Sequence, residues 1–246
     1  MSGHECPKCE LSSPQTAEIC PRCGLVWQKW LARQQHPQAP AYRFAAPQQE
    51  GLLTRLSAQI FAVPDAVDHS VFWGRTATFV GLVLWSLYFI TGGVDWERIG
   101  SSFLHNVNLP FHEFGHVLFR PFGHFMTILG GSLFQVIMPL GLMLAFCLYR
   151  ADNFGASVML WWSGQNFIDV SPYIADAQLR ALPLVGGGGE ESHDWGNLLT
   201  MTQSLAHTHQ YAHASFSIGV VLIILALAWA AYILHLQKQR LADVMP

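Results

Sequence analysis

The sequence predicts an all-α fold, a polytopic bundle of membrane helices behind a small cysteine-rich N-terminal head. Only 12% of the 246 residues are charged, which is about half the usual share in a soluble domain. The mean hydropathy is +0.27, and the charged residues concentrate in the first third of the chain. Long charge-free runs in the remainder accommodate about 4–6 membrane segments.

The net charge, the tryptophans and the first residues indicate what the chain contacts in the cell. A net charge of −3 and a pI near 6.4 lack the basic surface that nucleic acid requires, which disfavours nucleic acid as a partner. The nine tryptophans suit helices whose ends lie at a lipid interface. The first residues lack the apolar core of a secretory signal, so the first hydrophobic span is expected to remain as an anchor in the lipid bilayer.

Four of the five cysteines form two C-P-x-C pairs, Cys6 with Cys9 and Cys20 with Cys23. Two such pairs about ten residues apart are typical of a structural zinc site of the zinc-ribbon kind. A head this short has little core, so the metal would supply most of its folding energy. Reduced thiolates indicate a cytoplasmic head, which could recruit a protein partner. Cys147 lies in an apolar run and is predicted to be a core residue.

The chain is predicted to contain four regions. Residues 1–35 form the zinc ribbon with a short helix, and residues 36–50 form a linker rich in proline, alanine and glutamine. Residues 51–70 contain an amphipathic helix that lies on the membrane surface or packs on the body. Residues 71–246 form the membrane domain.

Four segments are predicted to cross the membrane, at Phe79–Ile90, Pro121–Tyr149, Asn153–Ile168 and Phe216–Leu234. A fifth helix, roughly Leu109–Phe119, is expected to have Pro110 in its first turn and to cover only about 15 Å. If this helix does not cross, five basic residues fall on the cytoplasmic side, namely Arg55, Arg75, Arg150, Lys238 and Arg240. This arrangement predicts a bacterial inner-membrane protein with a cytoplasmic N-terminus.

The short helix carries the pattern H-E-x-x-H at His112, Glu113 and His116. Residues four apart share one helix face, so the two imidazoles can bind one metal ion. Glu113 is placed to take a proton from a water molecule on that metal. The alternative is a pair of structural histidines in a packed bundle, which would leave the buried glutamate unpaired at considerable cost.

A catalytic zinc site needs a third protein ligand, and the candidates all lie downstream. Asp169 and Asp176 follow the third predicted span. Glu190 and Asp194 have the spacing E-x-x-x-D, with His193 between them. These three follow a glycine run at 186–189, which predicts a loop at this point and not a helix.

The apolar H-E-F-G-H helix, a later Gly-Gly segment and an Asn…Pro…Asp stretch together resemble the site-2 protease family of intramembrane zinc metallopeptidases. The resemblance covers roughly Leu109–Arg180. It implies that the third ligand is the aspartate of an Asn-Pro-Asp-Gly-like stretch, which matches Asp176 best. Alanine replaces the glycine of that stretch and Asn166 stands farther away than the family pattern has it, so Asp169 and His193 remain competitors.

The resulting hypothesis is an integral-membrane zinc endopeptidase with one catalytic and one structural Zn²⁺. His112, His116 and Asp176 hold the catalytic zinc, Glu113 is the base, and His105, Asn106 and Asn166 line the cavity or position a membrane-protein substrate. One alternative is a non-catalytic zinc-binding scaffold or sensor that recruits a partner through the ribbon. Another is a metal carrier that uses the scattered histidines.

Overall fold

The computed structural model describes residues 4–13, 18–35, 51–185 and 189–243. The chain divides into two compact units, Met1–Gln49 and Glu50–Pro246, and each is described by itself. The linker predicted at 36–50 lies outside the described residues.

The N-terminal unit contains two turns that each carry a cysteine pair. Strands β1 (His4–Glu5) and β2 (Ser12–Ser13) pair antiparallel around the first turn, and helix α1 (Trp27–Gln35) follows the second. In each turn the carbonyl of the first cysteine accepts a hydrogen bond from the N–H four residues later, Glu10 or Gly24. Both of these residues have positive φ, 61° for Glu10 and 70° for Gly24, so the two turns have the same backbone form.

The four cysteine sulfurs of this unit converge. Cys6 Sγ lies 3.5 Å from Cys23 Sγ, and Cys9 Sγ lies 3.6 Å from Cys20 Sγ. All four thiols are free, and their sulfurs lie within 4.8 Å of one another. A tetrahedral zinc site separates its sulfurs by about 3.8 Å, so this group could hold a zinc ion. Backbone hydrogen bonds from Cys23 and Arg22 lower the pKa of the Cys20 thiol to about 6, which favours the thiolate that a metal needs.

Replacement of Cys20 by alanine is expected to unfold the N-terminal unit, because the metal would supply most of the folding energy of so small a core. Limited proteolysis of the full chain should then cut within residues 4–35, and zinc analysis should show loss of the cysteine-bound ion. Cys147→Ala, the same change at the cysteine outside the cluster, serves as the control. Equal protease resistance in both variants would contradict a structural metal site.

The described part of the second unit is helical. Its helices are listed in chain order: α2 (Leu52–Ile60), α3 (His69–Gly92), α4 (Trp96–Gly100), α5 (Phe103–Phe119), α6 (His124–Ala145), α7 (Asn153–Ala175), α8 (Asp194–Met201) and α9 (Thr208–Asp243). A π-helical turn, Phe146–Arg150, extends α6. The predicted all-α class is thus confirmed, apart from the two short strands of the head.

Two of the described helical segments, His124–Arg150 and Leu205–Leu241, are long and apolar enough to cross a membrane. The first covers all but the first three residues of the predicted span at 121–149, and the second contains the predicted span at 216–234. Helix α3 includes the predicted span at 79–90 but also carries Arg75 and several Gly, Ser and Thr residues, which lower its hydropathy. Helix α7 includes the predicted span at 153–168, and most of its residues are buried inside the protein.

Helices α5 and α7 are both longer than predicted. The Ser102 side chain caps α5 by accepting a hydrogen bond from the N–H of Leu104, so the helix begins at Phe103 and Pro110 lies inside it. Its 17 residues span about 25 Å. Helix α7 continues through Pro172 to Ala175. Asp169, which the sequence places after a membrane segment, therefore lies inside a buried helix.

Glycines allow two pairs of helices to approach closely. A Cβ on Gly219 of α9 would lie 2.5 Å from the carbonyl oxygen of Gly164 on α7. A Cβ on Gly130 of α6 would lie 2.6 Å from the carbonyl oxygen of Gly115 on α5. Small residues at a helix crossing allow backbones to touch in this way. The second crossing brings the H-E-x-x-H face of α5 against α6.

The second unit buries several polar side chains beside its apolar core and exposes many large apolar ones. Several internal side chains are polar and almost fully buried: Asn108, Gln135, Gln165, Asn166 and Asp169. Large apolar side chains are exposed on the outside of α3, α6 and α9, among them Val80, Leu84, Leu87, Leu142, Leu144, Ile218, Val221, Ile224 and Leu225. Soluble monomers rarely expose apolar surface so extensively.

The end of α2 packs on the body. Asn153 at the start of α7 donates from Nδ2 to the carbonyl oxygens of Gln59 and Ala62, at 2.8 and 2.9 Å. Trp229 of α9 donates from Nε1 to the carbonyl oxygen of Ile60 at 3.0 Å. These bonds favour packing on the body, one of the two placements predicted for this helix.

Candidate metal centre

His112, His116 and Asp194 converge on one point. His112 Nε2 lies 2.9 Å and His116 Nε2 lies 3.3 Å from the same Asp194 oxygen, Oδ2. The ligand atoms of the three residues lie within 4.8 Å of one another, a grouping that could hold a metal ion. The two imidazole centroids are 4.8 Å apart, as expected for residues four apart on one helix face.

Each histidine makes a hydrogen bond from its other ring nitrogen. His112 Nδ1 lies 2.7 Å from Gln135 Oε1, and His116 Nδ1 lies 2.8 Å from the carbonyl oxygen of Thr127. Both partners are acceptors, so each Nδ1 carries a proton. Each Nε2 faces Asp194 Oδ2, and a bound metal would replace the proton between them and take the nitrogen lone pair. Outer partners of this kind orient metal-bound histidines and set their tautomer.

Asp194 reaches the histidines because it is the first residue of α8. His193 caps this helix, its Nδ1 accepting a hydrogen bond from the N–H of Gly196 at 3.0 Å. Tyr173 holds the same turn, because its hydroxyl oxygen accepts from the N–H of Asp194 at 2.9 Å. Burial raises the pKa of Asp194, but hydrogen bonds from His112 and His116 outweigh it and lower that pKa to about 2. The carboxylate is therefore ionised, as a metal ligand must be.

Asp176, the predicted third ligand, does not join this group. Its Oδ2 lies 3.2 Å from Nε2 of His193 and accepts a hydrogen bond from the N–H of Leu182 at 2.9 Å. Asp176 follows the end of α7 as its C-cap residue, and its carboxylate binds the segment that leads to α8. His193, a predicted competitor, is fully buried and is occupied by this bond and by its capping role. Asp194 takes the position predicted for Asp176.

Asp169, the other predicted competitor, also lies apart from the imidazole Nε2 atoms. It is 4% exposed, and its Oδ1 lies 3.1 Å from His105 Nδ1. Its Oδ2 accepts from Asn108 Nδ2 at 3.1 Å and from Gln135 Nε2 at 3.3 Å. Because α7 continues past it, Asp169 points into the helix bundle and forms the centre of a polar network.

A cavity of about 540 Å³ opens onto the three candidate ligands and is also lined by Glu113 and His105. Glu113 is exposed to solvent, next to the metal position. Asn106 is not among the lining residues, because it lies off the face that His105 and His112 share, and it bonds the carbonyl oxygen of Ser102. Asn166 is buried behind the cavity, where its Oδ1 accepts from Gln135 Nε2 at 3.1 Å.

Gly131 of α6 leaves the space that the two imidazoles occupy. A Cβ at this position would lie 2.5 Å from His112 Nε2 and 2.6 Å from His116 Nε2.

Gly131→Ala should displace both ligand atoms, weakening zinc binding at the histidine site and lowering the unfolding free energy by about 1–3 kcal/mol. Zinc titration and thermal unfolding measure these effects. Gly141→Ala on the same helix meets no atom within 4 Å and should behave as wild type; equal zinc affinity in both variants would contradict this packing.

The donor set fits zinc. Two imidazole nitrogens and one carboxylate oxygen, beside an open cavity, are the ligands of catalytic sites that keep one position for water. The sequence signal for Asp194 was its E-x-x-x-D spacing from Glu190. The preceding glycine run predicts a loop at Asp194, whereas His193 caps a helix that starts at this residue.

Comparison of the chain with family models, with curated proteins and with solved structures finds no match. The resemblance to the site-2 protease family therefore depends on the H-E-x-x-H residues and the polar stretch that follows them.

Proposed function

We propose that this chain is an integral-membrane zinc metallopeptidase of the site-2 protease type, which cleaves peptide bonds in membrane or membrane-adjacent proteins. One observation carries the proposal: His112, His116 and Asp194 meet at the wall of a cavity that Glu113 also lines. A purely structural metal site is closed by protein ligands. This group lies on a cavity that can admit water and a substrate.

His112 Nε2, His116 Nε2 and Asp194 Oδ2 would hold the zinc ion. Zinc supplies Lewis-acid polarisation and makes a water molecule acidic enough to react at neutral pH. Glu113 accepts the proton of the attacking water and delivers it to the leaving amine nitrogen. Tyr173 and His193 keep Asp194 in place through the turn that starts α8.

The distribution of side chains supports a membrane location. The exposed apolar residues of α3, α6 and α9 suit contact with lipid, and the buried polar network suits a site that is shielded from it. The cavity wall includes several apolar side chains, Leu109, Ile128, Val170, Leu182 and Val185. A substrate segment rich in apolar residues would fit this wall. The proposed orientation leaves the N-terminus in the cytoplasm of a bacterial cell, as the basic residues of the membrane domain suggest.

The proposal is tested by comparing cells that express the wild-type chain with cells that express Glu113→Gln. Mass spectrometry of new protein N-termini in the membrane fraction is expected to identify fragments that appear only with the wild type. The purified chain should then cleave the identified substrates in detergent and stop when a zinc chelator is added. A chain that yields no Glu113-dependent fragment, but loses a bound protein when Cys20 is replaced, would be the zinc-binding scaffold instead.

A further inference from the structure

We infer that Asp169 is a positioning residue that orients the His112 imidazole toward the metal, acting through the side-chain amide of Gln135. The inference rests on the metal site of the proposed function. It assigns to Asp169 a role other than that of a ligand, since its oxygens are bonded to His105, Asn108 and Gln135.

The first step is the orientation of the Gln135 amide. Its Nε2 donates to Asp169 Oδ2 at 3.3 Å and to Asn166 Oδ1 at 3.1 Å. An ionised carboxylate only accepts hydrogen bonds, so Asp169 requires the NH₂ end of the amide on its side. Asn166 agrees with this orientation, because its own Nδ2 is bonded to the carbonyl oxygen of Trp162 at 3.0 Å.

The second step passes this orientation to the metal ligand. With its Nε2 directed at Asp169, Gln135 presents Oε1 to His112 Nδ1 at 2.7 Å. An amide oxygen accepts only, so Nδ1 keeps its proton, and Nε2 is the nitrogen that can lose its proton and bind a metal. If the amide turned over, its NH₂ group would face Nδ1, and the favoured tautomer would place the proton on Nε2.

The three side chains of this hydrogen-bond network are almost fully buried. Gln135 is 3% exposed, Asn166 is 1% exposed and Asp169 is 4% exposed, so most of their hydrogen bonds are with one another, although Gln135 and Asp169 also border the cavity. The network also holds Asn108, whose orientation is set by the indole N–H of Trp162 at 2.9 Å from Asn108 Oδ1. Each amide in the network thus has one orientation that satisfies its neighbours.

The test measures zinc affinity at the histidine site of the full-length chain in detergent, with the cysteine site already loaded. Asp169→Asn replaces an acceptor by a group that can also donate, which removes the charged one of the two acceptors that orient Gln135. We expect zinc to bind about 10–100-fold more weakly at the histidine site, the loss typical of an outer-shell partner. Asp152→Asn, the same change at the other end of α7, should bind zinc as the wild type does.

Two further variants separate positioning from general packing. Gln135→Met removes the acceptor from His112 and should cause a similar loss, with little added by combining it with Asp169→Asn. The double variant Asp169→Asn with Gln135→Glu places a donor at 169 opposite an acceptor at 135. It is expected to recover part of the lost affinity, because Asn166 Oδ1 still loses the donor that Gln135 provides. Cobalt substitution reports the same recovery through the absorption bands of the metal site.

The outcomes are distinct. Wild-type zinc affinity in Asp169→Asn, or no recovery in the double variant, would overturn the inference while leaving the metal site intact. If the wild-type chain binds zinc only at its cysteines, the proposed function fails together with the inference. Weak binding by Asp169→Asn and recovery by the double variant support the coupling of Asp169 to His112.

Discussion

Glu113→Gln is expected to reduce substrate cleavage by roughly 10²–10⁴-fold, the usual contribution of a general acid–base residue. Glutamine keeps the shape of the side chain but cannot take the proton of the attacking water. Glu113 is not one of the three residues that group as candidate ligands. The variant should therefore bind zinc at the histidine site as tightly as the wild type, which metal analysis and titration can measure alongside the cleavage rate.

The matched control for this change is Glu97→Gln. Glu97 is exposed in the first turn of α4 and does not line the cavity, so its loss should leave cleavage unchanged. Full cleavage by Glu113→Gln would remove Glu113 from the mechanism. Loss of zinc in this variant would instead mean that the carboxylate is a ligand.

The second large effect is expected for Asp194→Asn, which should lose the zinc of the histidine site and all cleavage. An amide oxygen is a weaker ligand than a carboxylate, and the negative charge that lies 2.9 and 3.3 Å from the two imidazoles would be gone. We expect the affinity to fall by more than the 10–100-fold typical of an outer-shell residue. The cysteine site should keep its zinc, so metal content per chain separates the two sites.

Asp176→Asn is the comparison that distinguishes Asp176 from Asp194 as the third ligand. Asp176 bonds His193 and the N–H of Leu182, so its replacement should loosen the segment before α8 but leave the ligand in place. Zinc retained by Asp176→Asn and lost by Asp194→Asn is the expected pattern. The reverse pattern would restore Asp176 as the third ligand.

The helical class and the N-terminal cysteine cluster could be predicted because each depends on local pattern. Long charge-free apolar runs indicate helices, because a helix satisfies its own backbone hydrogen bonds. The two C-P-x-C pairs need only a short chain to bring their sulfurs together. The lengths of α5 and α7 could not be predicted as well. Pro110 and Pro172 suggest helix ends, but both helices continue through them, with Pro110 exposed on α5 and Pro172 buried in α7.

The role of each acidic residue depended on helix phase and packing. The sequence predicts Asp169 just after a membrane segment. In the structure α7 continues past it, and its carboxylate points into the helix bundle. Asp176 matches the Asn-Pro-Asp-Gly-like stretch best. It lies at the end of α7, where its carboxylate accepts a hydrogen bond from Leu182 in the following segment. Asp194 followed a glycine run, yet the His193 cap starts a helix there and directs its side chain to the imidazoles.

The helical class, the cluster of four cysteines, and the pair of histidines with Glu113 beside them follow from the sequence alone, because short spacings and i, i+4 positions on one helix are local properties. The tertiary structure decided which acidic residue completes the group and which holds the outer shell. That choice depends on contacts between side chains that lie 23 to 82 residues apart in the chain, such as His112 with Gln135 and with Asp194. Close packing at Gly115, Gly130 and Gly131 sets where α5 and α6 meet.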